Sequence, residues 1–106
     1  MSAALAKAIK QKSNLPFSLH AEIARFAKEY SVSRVFLFGS RARGRNRERS
    51  DVDLLVLGGD VDGFRFALDE EGETLLKFDV VDASSNISDE LKSEIEKDGI
   101  VIYEKV

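Results

Sequence analysis

Apolar positions recur along the chain at two different periods. Leu19, Ile23, Phe26, Ala27 and Tyr30 stand at i, i+4, i+7, i+8 and i+11, which predicts a helix with one buried face. Ser18 is a candidate N-cap for it and Pro16 a candidate first-turn residue. Val35 to Phe38 is a short β-favouring apolar run that stops at Gly39, the pattern of a central strand covered on both faces. A second strand is predicted over Ser50 to Leu57, ended by Gly58-Gly59-Asp60. Helical spacing returns in Val61, Phe64, Ala67 and Leu68, giving a helix over 61–71. Lys77 to Asp82 reads as a third strand. A helix over 88–98 follows, with Leu91 and Ile95 facing the core, Ser88 as N-cap and Gly99 as its stop, and Ile100 to Tyr103 is a short last strand. Ahead of these, residues 2–12 are rich in Ala and Lys and suggest a further helix or an arm, broken by Ser13-Asn14-Leu15-Pro16.

The predicted order is α-α-β-β-α-β-α-β. That is an α/β (α+β) fold with a sheet of about four strands flanked by helices. About a dozen residues join the first two strands, enough for a turn of helix and for either strand orientation, so a mixed sheet is expected. The length, 106 residues, fits one domain over 1–106, with 1–15 as an N-terminal helix or arm. Such a chain buries about two-thirds of its unfolded surface, enough for one core.

Charge changes the picture locally. The formal net charge is -3, so direct nucleic-acid binding is not expected from the chain as a whole. Yet five of the eight arginines stand at positions 41, 43, 45, 47 and 49, a patch that attracts anions. The absence of cysteine removes disulfide and thiolate-metal chemistry. Neither a signal-peptide core nor an apolar run of membrane length is present, and a cytoplasmic protein without a membrane partner is expected. His20, the only histidine, reads as a surface or partly packed helix residue, and no Ser-His-Asp or zinc constellation can be assembled.

Three constellations carry chemistry. Side chains at i and i+2 of a strand share a face, roughly 6 to 7 Å apart at the backbone, so Asp51 and Asp53 aim at one spot. Two converging carboxylates repel unless a cation neutralises them, and oxygen-only sites of this kind suit Mg²⁺. Asp79, inside KFDVVD, is costly to bury alone and is placed beside them if its strand is a neighbour. Asp82 has the opposite strand parity and is assigned to the strand end. Three carboxylates can hold two cations about 3.5 to 4 Å apart, an arrangement suited to in-line displacement at phosphorus. Next, Gly39-Ser40 directly follows a buried strand, and its backbone N–H groups and hydroxyl can cradle a phosphate. A P-loop is excluded, because Arg45-Asn46 stands where Lys-Ser/Thr is required. Finally, arginine forks suit phosphate oxygens, and Arg41 and Arg43 lie nearest the turn. Which of Arg45, Arg47 and Arg49 touch a ligand stays open.

Gly39-Ser40, ten residues and then Asp51-Val52-Asp53 resembles the G-S-x10-D-x-D pattern of the DNA polymerase β-like nucleotidyltransferase superfamily. FLFGSRARG followed by SDVDLLV looks like its minimal subgroup, the MNT or MntA-like proteins, over residues 17 to 103. The resemblance implies the polymerase β-like fold and a mechanism using two Mg²⁺ ions. Asp51 and Asp53 would hold both ions, Asp79 would hold the catalytic one, and Gly39 and Ser40 would grip the β- and γ-phosphates of a nucleoside triphosphate such as ATP. It also implies a small helical HEPN-type partner, toward which such proteins act as antitoxins, some by transferring AMP. The chain has no room for the extra domain of larger relatives, so a partner is expected to supply the acceptor surface. Two other readings stand beside the enzyme: a non-catalytic subunit that neutralises a helical partner by contact, and a regulatory nucleotide-binding module.

Overall fold

A computed structural model describes residues 15–105. Four strands, β1 (Arg34–Phe38), β2 (Val52–Leu57), β3 (Phe78–Asp82) and β4 (Ile100–Glu104), form one sheet in the order β3-β2-β1-β4. β1 pairs antiparallel with both β2 and β4, while β2 and β3 run parallel. The sheet is therefore mixed, as the connection lengths suggested. A parallel pair needs a crossover, and here it is α3 (Val61–Glu71). The other helices are α1 (Phe17–Glu29), α2 (Gly39–Arg43) and α4 (Asp89–Asp98). The helix suggested over residues 2–12 lies outside the described residues. None of the described helices is long and apolar enough to cross a membrane.

Strand alternation sorts the sheet into two unlike faces. Val35 and Leu37 of β1, Val52, Leu54 and Val56 of β2, Val80 of β3 and Ile102 of β4 are buried in one cluster. Leu19, Ile23, Phe26 and Ala27 of α1 and Val61, Phe64, Ala67 and Leu68 of α3 complete it. The opposite face is less covered. Phe38 and Leu55 are buried there, but Phe36 is half-buried and Leu57 is exposed, so β1 is inside the sheet without being sealed on both faces. This thinner face carries Asp53, and α4 packs beside it against β1 and α2.

The helix ends differ in part from expectation. Ser88 caps α4 by accepting from the Leu91 N–H at 3.1 Å, as its sequence suggested. α1 starts after Pro16, with no side-chain cap from Ser18; the Pro16 carbonyl accepts from the N–H groups of Leu19 and His20. Asp60 caps α3 through the Gly63 N–H at 3.0 Å. Leu91 and Ile95 of α4 are only half-buried, and that helix has no fully buried residue.

His20 also departs from expectation. It is buried, on the apolar face of α1, and neither ring nitrogen has a hydrogen-bond partner. Burial lowers its pKa, because the neutral ring is the cheaper form to desolvate.

Phe64 is fully buried, whereas Phe66 on the same helix is 64% exposed. Phe64→Ala is expected to lower stability by about 3–5 kcal/mol, read as a fall in the urea midpoint. Phe66→Ala should change it by no more than about 0.5 kcal/mol.

Candidate active site

The site begins where β1 stops. In the β1–β2 register Phe38 lies opposite Asp53, so the chain turns away immediately above that carboxylate. Gly39 makes the turn with φ 75°, a left-handed conformation that glycine tolerates best. A Cβ at this position would collide with Asp53 Oδ2. The left-handed dihedral angle favours glycine, and any side chain here would also push the Asp53 carboxylate aside. α2 follows for five residues and ends at Gly44, also left-handed at φ 72°, with the Arg45 N–H donating to the Ser40 carbonyl at 2.9 Å.

Arg41, expected near the phosphates, has its guanidinium buried against the connecting loop. It is 3% exposed. Its Nε donates to the Ser50 carbonyl at 3.1 Å and its Nη2 to the Glu48 carbonyl at 3.0 Å. Burial lowers its pKa. The guanidinium fork is committed to the loop that leads into Asp51, and Ser50 Oγ closes that loop further by accepting from the Arg47 N–H at 2.8 Å. Arg43 is the α2 arginine that stays open to solvent. Its Nη1 lies 3.6 Å from Glu94 Oε2 of α4. Ser40 is half-buried, while Arg45, Arg47 and Arg49 are exposed.

β2 starts at Val52, two residues later than expected, so Asp51 lies just before the strand and is exposed. Asp53 is half-buried, with its pKa pushed up to about 6. Burial contributes most, followed by the charges of Asp79, Asp51 and Glu94, with Arg43 opposing them. Asp79 is the parallel partner of Asp53 across β2 and β3 and so shares its face of the sheet. It is exposed, because β3 is an edge strand; the expected cost of burying a lone carboxylate falls on Asp53 instead. Asp82 is committed to the turn after β3. Its carboxylate accepts from the Ser84 N–H at 2.9 Å and the Ser84 hydroxyl at 2.8 Å, and these bonds lower its pKa.

Glu94 is the site residue that sequence reasoning missed. One acidic residue on an acidic helix carries no signal until the helix is docked. The donors around Asp53 are all oxygens, the chemistry that suits Mg²⁺. Among the described residues, no group of three or more His, Cys, Asp or Glu side chains is arranged to hold a metal ion.

A glycine turn thus lies over one carboxylate, Asp53, with Asp79 beside it on the neighbouring strand of a mixed sheet. Residues 21–106 match the family described as Polymerase beta, Nucleotidyltransferase, and the chain belongs to that family. It is 46% identical over 50 residues to a Methanocaldococcus jannaschii protein named "Putative protein adenylyltransferase MJ0604". That match spans 47% of this chain and about half, 48%, of the relative. Among solved structures, a toxin-antitoxin crystallised with AMP-PNP superposes with a TM-score of 0.65 at 21% identity, over 81% of this chain and 73% of the other. A mutant of the toxin-antitoxin MntA-HpeT does so with 0.64 at 22% identity, over the same 81% and 73%. At those identities the two structures speak for the fold.

The raised pKa of Asp53 fixes a sign. Between about pH 4 and pH 6 the unfolded chain releases this proton while the folded chain keeps it, so folding stability falls as pH rises through that window. Asp53→Asn removes the penalty. The variant is expected to be more stable than the wild type above about pH 6, by about 1–2 kcal/mol once solvent screening is allowed for, and to lose that advantage near pH 4. Thermal melts across pH check this.

Arg41→Met should cost about 2 kcal/mol and speed hydrogen exchange at residues 45–50. Arg45→Met should do neither.

Proposed function

We propose that this chain transfers a nucleoside monophosphate, AMP from ATP, to a hydroxyl on a helical partner protein of the HEPN type, as the antitoxin of a toxin-antitoxin pair. The observation that carries the reading is Asp53, half-buried beneath the Gly39 turn with the charges of Asp51 and Asp79 acting on it. The named relatives support the nucleotide and the setting: one is called a protein adenylyltransferase, and another is a toxin-antitoxin with AMP-PNP.

On this reading Gly39 and Ser40 hold the β- and γ-phosphates through backbone N–H groups and the serine hydroxyl. Arg43 offers its fork from the rim. Asp51, Asp53 and Asp79 would hold Mg²⁺, two ions in the full site, whose chemistry is to withdraw charge from the phosphates and lower the pKa of the attacking hydroxyl. Asp79, exposed on the edge strand, is the carboxylate most open to an incoming acceptor and takes up its proton. The acceptor oxygen bonds to the α-phosphorus, the bond from that phosphorus to the bridging oxygen breaks, and pyrophosphate leaves. The exposed Arg45, Arg47 and Arg49 are read as facing an acidic protein partner rather than a nucleic acid.

One observation favours a second reading, neutralisation of the partner by contact alone. Among the described residues, the carboxylates do not close around an ion.

Incubation with the partner, Mg²⁺ and ATP labelled at the α-phosphate separates the two. Label on the partner is expected with the wild type, reduced at least about 10³-fold in Asp53→Asn. Neutralisation that survives Asp53→Asn with no label transferred by the wild type would establish contact as the mode of action.

A further inference from the structure

The half-buried residues of α4 are Leu91, Glu94, Ile95 and Asp98, a stripe at i, i+3, i+4 and i+7. Glu94 therefore lies on the packed side of the helix, where an acid is not expected. It reaches Arg43 at the end of α2, with Nη1 and Oε2 3.6 Å apart and each side chain 36% exposed. Both charges are felt by Asp53, with opposite signs.

We propose that Glu94 is a positioning residue for Arg43. In the nucleotide-free protein it holds the guanidinium at the rim of the site, and it yields that guanidinium to a nucleotide phosphate on binding. The inference rests on the nucleotide reading of the same site.

Two features carry it. First, the carboxylates at Asp51, Asp53 and Asp79 repel a polyphosphate, and Arg43 is the cation that offsets them at Asp53. Where Arg43 points therefore decides how a phosphate tail is received. Second, the pair is made to exchange. Charge-assisted bonds run at about 2.7–2.9 Å, and a longer, partly exposed pair is weak. A phosphate presents more charge and two oxygens to the guanidinium fork, so it displaces Glu94. Arg41 is the contrast within the same helix: buried and bonded to two carbonyls, it is not available for exchange.

ATP binding measured by calorimetry in EDTA isolates this step from metal loading. Glu94→Gln frees Arg43 and is expected to tighten binding about two- to five-fold. Arg43→Gln should weaken it about ten-fold. In the double variant the gain from Glu94→Gln should largely vanish, a coupling that a merely structural role for Glu94 would not produce. Melting curves confirm that each variant folds. Unchanged or weaker binding by Glu94→Gln, or a full gain persisting without Arg43, overturns the inference while leaving the nucleotide reading intact. No ATP binding by the wild type, with or without Mg²⁺, overturns both.

Discussion

The close approach of the Gly39 backbone to the Asp53 carboxylate is the constraint that the site depends on. It requires a turn with positive φ directly after β1, and it requires Asp53 opposite Phe38 in the register. A slip of one residue would move Asp53 to the core face and send Val52 and Leu54 outward. Burial of Val52, Leu54 and Val56 against α1 and α3 resists that slip. The apolar side of the sheet thus holds the polar side in place, although it contributes no group to the chemistry.

Electrostatics around Asp53 work against the folded chain. Its carboxylate is partly desolvated and surrounded by like charges, with one opposing arginine. A protein selected for stability alone would replace this carboxylate by a neutral residue. Burial and like charge around one carboxylate are features found at functional sites. A ligand that relieves it must bring positive charge and must also be able to meet the backbone of the turn above.

Much of this was legible in the sequence. The alternation in VDLLVL predicted one face for Asp53 and the other for its apolar neighbours. The parity of FDVVD separated Asp79 from Asp82, and the sheet carries both expectations. Strand order was not legible, and it decides burial: a carboxylate inside FDVVD is costly to bury only where its strand is covered, and β3 is an edge strand. Glu94 was hidden for a related reason, since the role of a helix residue depends on which side of the helix is docked. His20 was misjudged because a titratable side chain with no partner is expected to stay near water, and nothing local announced that α1 would bury it.

Arg41 and Arg43 show why residue spacing must be read together with backbone conformation. Asp51 and Asp53 are two apart on an extended segment, where that interval returns a side chain to the same face. The two arginines are also two apart, but α2 is helical, and two helical steps turn a side chain through about 200°. One arginine must then go inward if the other goes outward. Arg41 takes the inner position and ties down the loop that delivers Asp51, while Arg43 takes the outer one and meets α4. A ladder of like residues that reads as uniform in one dimension is divided by five residues of helix into a structural clamp and an exposed charge paired with α4. The same short helix that sets Gly39 over Asp53 therefore also decides which arginine is buried and which stays open to solvent.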